Sequence, residues 1–90
     1  MKNKKCIIKR KGHEEVYDEK KVYASVYAAA LNCEYGEEKS ERIAKKIMGK
    51  ISALVKKGKC TSSEDIRNKV IELLDDKDVS LMYKRHLDLS

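Results

Sequence analysis

Residues 7–21 read IIKRKGHEEVYDEKK. Two short β-prone runs, 6–10 (CIIKR) and 13–17 (HEEVY), flank Lys11-Gly12, where a glycine supplies the positive φ of a tight hairpin turn. Asp18 follows in the position of a helix N-cap, with Glu19 in the first turn and an apolar stripe at Val22, Val26, Ala29, Ala30 and Cys33. The stretch therefore predicts a hairpin running straight into a helix. It also crowds cations, carboxylates and one tyrosine into a few residues, which raises the question of what such a mixture would hold.

The rest of the chain is helical by pattern. After Tyr35-Gly36, which the pattern reads as the end of the first helix, Ile43, Ile47, Ile51, Leu54 and Val55 recur at three and four over residues 37–57. Lys45, Lys46, Lys50 and Lys56 fill the wet side. Gly49 interrupts this helix and reads as a point of close packing, since an interior glycine costs about 1 kcal/mol relative to alanine. Gly58 is the C-cap candidate. An extended piece near Cys60 offers a third strand, and Thr61-x-x-Glu64 fits a capping box, although Ser62 and Ser63 are alternative caps. The next helix carries Ile66, Val70, Ile71, Leu73 and Leu74 up to Asp75-Asp76, and a last one from about Asp78 carries Val79, Met82, Tyr83 and His86. The expected class is α+β, mostly helical, with a small sheet of two or three strands over four helices.

Composition narrows the function. The 90 residues are 41% hydrophobic and 40% charged without proline, which suits one soluble, helix-rich domain over 6–90 behind a basic arm, 1–5. No apolar run approaches the ~20 residues a membrane span needs, and the basic start gives way to charge too soon for a signal peptide, so a cytoplasmic location is expected. Cys6, Cys33 and Cys60 lie too far apart for a zinc ribbon and read as small buried or half-buried thiols; no metal site is expected. Six cations fall within residues 1–11 (Lys2, Lys4, Lys5, Lys9, Arg10, Lys11) and account for the formal net charge of +6. Such a local excess suits one anionic ligand, or a basic arm that grips nucleic acid.

Catalytic motifs are missing. Ser62 and Ser63 have no GxSxG context, no phosphate-loop or dinucleotide fingerprint occurs, and His13 and His86 stand alone, so an enzyme is not expected. A binding site is better supported. Lys9 and Arg10 end the first strand and Lys21 opens the first helix, where helix N-termini add free N–H groups and partial positive charge for phosphate. Glu15 and Asp18 are acceptors beside them, and Ile8, Tyr17, Val22 and Ile66 can wall a flat apolar slot. The plainer reading is a solvated strand face and an ordinary cap. Magnitudes say that a site here needs both halves. Charge-assisted hydrogen bonds of about 1.5–3 kcal/mol give three cations ~5–9 kcal/mol gross. Association costs ~4 kcal/mol or more, and micromolar binding needs about 8 kcal/mol net. A buried base has to make up the difference.

In order, Ile7-Ile8-Lys9-Arg10-Lys11-Gly12, Glu15-Val16-Tyr17-Asp18, Lys21-Val22, Ser63-Glu64-Asp65-Ile66 and, less sharply, Tyr83-Lys84-Arg85-His86 make the sequence resemble the ATP-cone. That family comprises nucleotide-sensing domains at the N-terminus of many ribonucleotide reductases, and it also follows a zinc ribbon in a bacterial repressor of reductase genes. The resemblance implies a four-helix bundle capped by a small sheet, with ATP or dATP between them, with or without Mg²⁺. By position it implies phosphate contacts at Lys9, Arg10 and Lys21, and base or ribose contacts at Glu15 and Asp18. It implies a pocket wall from Ile7, Tyr17, Val22 and Ile66, strand alternation leaving open whether Ile7 or Ile8 faces in. Ser63 and Arg67 fall at a nucleotide-contacting helix start, where Arg67 is less usual and either adds a phosphate ligand or disturbs specificity.

Lys11 stands where the family often has an acid. Neither a reductase barrel nor a zinc ribbon fits in this length, which leaves an excised domain or a free-standing sensor. The implied role is a regulatory adenine-nucleotide module that couples occupancy to self-association or to control of a reductase or its regulator. The alternative is a small nucleic-acid-binding protein acting through the arm.

Overall fold

The computed structural model describes residues 6–89, with side chains through Arg85; the arm 1–5 lies outside the described residues. Two strands, β1 (Ile7–Arg10) and β2 (His13–Val16), precede four helices: α1 (Glu19–Asn32), α2 (Glu37–Lys56), α3 (Ser63–Leu73) and α4 (Lys77–Leu89). The strands pair antiparallel with Ile8 opposite Glu15 and Arg10 opposite His13. Between them Lys11 and Gly12 both take positive φ, 46° and 86°. That combination is the turn whose twist matches a two-residue hairpin.

The helices form a closed ring of contacts. α1 packs on α2 and α4, α3 packs on the same two helices, and α3 also meets β1. Each helix buries the centre of its predicted stripe, while Cys33, Ile43, Leu54, Ile71, Leu73 and Met82 are only half-buried against it and the side chain of His86 lies outside the described residues. Val26, Ile47, Ile51, Val70 and Val79 form the dry centre, while the small residues Ala29, Ala30 and Ala44 have no exposed surface where α1 meets α2. Burying each of the larger side chains is worth about 1.5–3 kcal/mol, so the helical layer supplies most of the driving force.

Several expectations change. The third strand reduces to a single parallel bridge, Lys9 to Ser62, with the Lys9 N–H donating to the Thr61 carbonyl at 2.9 Å. The chain cannot extend that pairing because Ser62 is already the N-cap of α3. Of the three candidate caps Ser62 is the one used, and Thr61-x-x-Glu64 does not form the box: Ser62 Oγ accepts from the Asp65 N–H, and Asp65 accepts from the Thr61 N–H and hydroxyl.

α1 ends at Asn32 rather than at Tyr35-Gly36, and Gly36 is the N-cap of α2. Glu34, at φ 65°, takes the left-handed position after the α1 C-cap, where the Tyr35 N–H reaches the Ala30 carbonyl. Gly58, at φ 78°, does the same after α2, as its sequence suggested. Gly49 is exposed, and a Cβ there would meet nothing within 4 Å. Close packing does not explain it.

Candidate functional site

A cleft of about 550 Å³ opens between the hairpin and the starts of α1 and α3. This falls in the usual range for small-molecule sites. Local geometry aims the side chains. Strand alternation turns Ile8 inward, 5% exposed, and Ile7 outward, 51% exposed. Ile7 therefore sits opposite Val16 on the outer face of the hairpin and does not line the cleft, whereas Ile8 does. The backbone bond from Lys9 to Thr61 ties β1 to the start of α3 and so brings Ser63, Ile66 and Arg67 to the hairpin. On α1, Asp18 caps the helix by accepting the Lys20 N–H at 3.0 Å, which places Lys21 and the buried Val22 one turn in.

Eleven of the twelve residues singled out in the sequence line this one cleft; Ile7 is the exception. Ile8, Val22 and Ile66 form its buried apolar wall. Tyr17 contributes beside them, its hydroxyl bonded to Ser52 Oγ at 2.9 Å and Ser52 in turn donating to Glu19 at 3.1 Å. Partial burial raises the Tyr17 phenol above its usual range, assisted by the negative charges of Glu19 and Asp18. Asp18 Oδ1 is used in the cap, while Oδ2 has no protein partner among the described residues.

The electrostatics are uneven. Five cations, Lys9, Arg10, Lys11, Lys21 and Arg67, face three carboxylates, Glu15, Asp18 and Glu64. Arg10 pairs with Glu15 across the hairpin at 3.4 Å and Arg67 with Glu64 at 3.9 Å. Both pairs are partly exposed, and such pairs contribute little to stability. Lys9, Lys11 and Lys21 have no carboxylate partner within 4.0 Å among the described residues. At the start of α3 the N–H groups of Ser63 and Glu64 have no protein acceptor among the described residues either, because Ser62 Oγ is given to Asp65. Unpaired ammonium groups, free helix N–H groups and an apolar wall together suit an anion attached to a flat apolar body.

Six further residues line the cleft beyond those the sequence singles out: Lys11, Val16, Ser25, Ser62, Glu64 and Tyr83. Tyr83 reaches the cleft from α4, 4% exposed, its phenol pushed up to about 12 by burial. It stays protonated and can donate. Ser25 follows Lys21 by one helical turn and lines the cleft, its hydroxyl donating to the Lys21 carbonyl at 2.8 Å. The i, i+4 spacing from Lys21 was a usable signal for it. Lys11, one of the clustered cations and the residue that stands where the family often has an acid, also lines the cleft. His13 is exposed on β2 and does not line the cleft; the side chain of His86 lies outside the described residues. The described residues contain no group of three or more His, Cys, Asp or Glu able to hold a metal ion, and no helix long and apolar enough to cross a membrane.

Comparison with protein families matches residues 5–87 to the ATP cone domain. Comparison with curated proteins and with solved structures gave no match.

Proposed function

This chain belongs to the ATP cone family, whose domains are nucleotide-binding regulatory modules without catalysis, and from that premise we propose that its cleft binds ATP or dATP and that occupancy controls self-association or a partner. The observation that carries the reading is the convergence of Lys9, Arg10, Lys21 and Arg67, from one strand and two helices, on one cleft with a buried apolar wall. In this reading the four helices are a bundle and the hairpin is its lid.

The donor set fits an adenine nucleotide. The four cations and the free N–H groups of α3 hold the phosphates, and charge-assisted bonds here are the strong kind. Ile8, Val22, Ile66 and the Tyr17 ring wall the base. Glu15 and Asp18 accept from an exocyclic amine or a ribose hydroxyl, and Ser63 contacts the nucleotide from the start of α3. Mg²⁺, where present, arrives with the phosphates.

Regulation follows from where the cations sit. Lys9 and Arg10 are on the hairpin, while Lys21 and Arg67 are on the helices. A polyanion bridging them fixes the hairpin against α1 and α3. Ile7 and Val16 are directly paired on the hairpin and both about half exposed, Ile7 facing away from the cleft and Val16 bordering it. Occupancy therefore sets the position of an apolar surface fit for a second copy or a partner. The family setting makes a ribonucleotide reductase, or the control of its expression, the regulated system.

Titration calorimetry with ATP, dATP and GTP, on wild type and Lys9→Ala, tests this. Binding of an adenine nucleotide that weakens in the variant supports it, and absence of heat with both adenine nucleotides at millimolar concentration rejects it. Light scattering with and without nucleotide checks the self-association half. A mass that does not respond to nucleotide would move the regulated contact to a partner.

A further inference from the structure

We propose a second binding surface, independent of the nucleotide cleft: the outer face of α2 binds the phosphate backbone of double-stranded DNA without reading its sequence. Residues 42–59 read RIAKKIMGKISALVKKGK and contain seven cations and no acid. The whole-chain balance hides this, because the acidic residues lie outside this stretch; on α2 itself Glu37, Glu38 and Glu41 are confined to the first turns, ahead of it. Arg42, Lys45, Lys46 and Lys50 recur at three- and four-residue steps along α2, Lys56 falls three turns (eleven residues) after Lys45, and the C-cap Lys57 falls seven after Lys50, which puts them on one side of the helix. All six are exposed. The opposite side, with Ala44, Ile47, Ile51 and Val55, is buried in the core.

An ordinary wet helix face mixes signs and links them in i, i+4 pairs. Here Arg42–Lys46 and Lys46–Lys50 are like-charged neighbours that repel. The helix dipole does not account for them either, since its influence is confined to the last turn. Among the described residues the one carboxylate within 4.0 Å of these cations is Asp75, on Lys46 at 3.9 Å. Gly49 and Ala53 lie along the midline of the face, both exposed, and a Cβ on Gly49 would meet open space. The missing side chains lower the centre of the face between two rows of long cations. That shape admits a rounded polyanion and gives a reason for the glycine that core packing does not.

The chemistry selects the partner. At 1.5 Å per residue the face runs about 22 Å, along which about six phosphates of one duplex strand are spaced. No aromatic side chain interrupts it, and single-stranded nucleic acid is gripped by stacking on aromatics. Its exposed residues include no large apolar side chain for insertion into a lipid surface. Lysine-rich patches with an empty centre are also unlike protein interfaces, which deplete lysine and bury anchors. A duplex backbone fits all three constraints.

The test uses the full chain and a labelled random-sequence DNA duplex, titrated from 50 to 200 mM salt. If six phosphates are engaged, the log–log salt slope is about −5 and affinity falls on the order of 10³-fold over that range. The variant Arg42→Gln/Lys45→Gln/Lys50→Gln/Lys57→Gln leaves Lys46 with Asp75 and changes no residue that lines the nucleotide cleft or the smaller pocket beside Tyr17 and Asp18. It is expected to lose three to four units of slope, at about 0.9 per phosphate, with its helix content and ATP affinity unchanged. A second variant, Lys2→Gln/Lys4→Gln/Lys5→Gln, is expected to lose less than the first. Duplex binding that survives the α2 changes but not the arm changes overturns the proposal. So does α2-dependent binding to vesicles containing anionic lipid with none to the duplex, and so does a strong preference for one duplex sequence.

Discussion

The two ends of the helical layer use similar side chains in opposite ways. At the far end, where α1 and α3 finish and α2 and α4 begin, charges and aromatics satisfy one another. Tyr35 donates to Asp76, Asp76 also caps α4 by accepting the Asp78 and Val79 N–H groups, and the Lys39 ammonium lies 4.1 Å from the centre of the Tyr35 ring. At the cleft end, where α1 and α3 begin, Lys9, Lys11 and Lys21 face the opening without ion-pair partners among the described residues. A closed polar cluster is a clamp between two loops. An open one, backed by a buried apolar wall, is a place for a ligand. Composition does not separate the two; pairing does.

The sharpest break between the ends comes from single substitutions. Lys21→Ala is expected to lower ATP affinity about tenfold or more, the loss of one charge-assisted bond, while leaving the melting temperature unchanged. Tyr35→Phe is expected to do the reverse, lowering the melting temperature with affinity intact. Calorimetry and thermal unfolding on both proteins read the contrast directly, and an affinity loss in Tyr35→Phe would dissolve it.

The pH dependence sharpens the same division. Donation to Asp76 pushes the Tyr35 phenol up to about 12, and accepting that bond holds the Asp76 carboxyl below its ordinary 3.8. A tyrosine whose folded value exceeds its unfolded value of 10.0 contributes stability that is complete below pH 10 and lost as pH climbs toward 12. A depressed carboxylate contributes stability that is present above its unfolded value and lost as pH falls through its folded one. Tyr35→Phe should therefore be less stable than wild type by a constant margin between about pH 4 and pH 10, the margin closing at both extremes. Tyr83, also near 12 through burial at the cleft end, leaves an alkaline loss of stability in the variant. Denaturant melts across pH check the shape.

Smaller effects mark the backbone. Two helices end in the same left-handed turn, one with Gly58 and one with Glu34. Replacing Glu34 by glycine should stabilise the fold by about 1 kcal/mol, relieving the Cβ cost of that conformation. Gly49→Ala should stabilise by about 0.5–1 kcal/mol, since nothing crowds the site and alanine is the better helix former. Urea titrations resolve both.

Much of this was legible before any coordinates. The hairpin turn follows from Lys11-Gly12, the α1 cap from Asp18, and the helix faces from apolar residues at three and four. Local rules act over a few residues, and these features are local. What escaped depends on distant pairing. Ile7 and Ile8 are equivalent until the hairpin meets α3. The third strand looked plausible until the α3 cap claimed Ser62. The end of α1 was misplaced because Glu34, a poor candidate for positive φ, takes the turn that Gly36 seemed made for. Tyr83 lies more than sixty residues from the hairpin it faces, and a single apolar position on a helix says nothing about which cleft it floors.

The central claim is that the cleft end, not the far end, receives a nucleotide. Amide chemical-shift mapping during titration with ATP tests it most directly. The account predicts large shifts at Lys9, Glu15, Lys21, Ser63 and Arg67, with Tyr35, Lys39 and Asp76 still. Shifts centred on the far end, or none at saturating ATP, would contradict it.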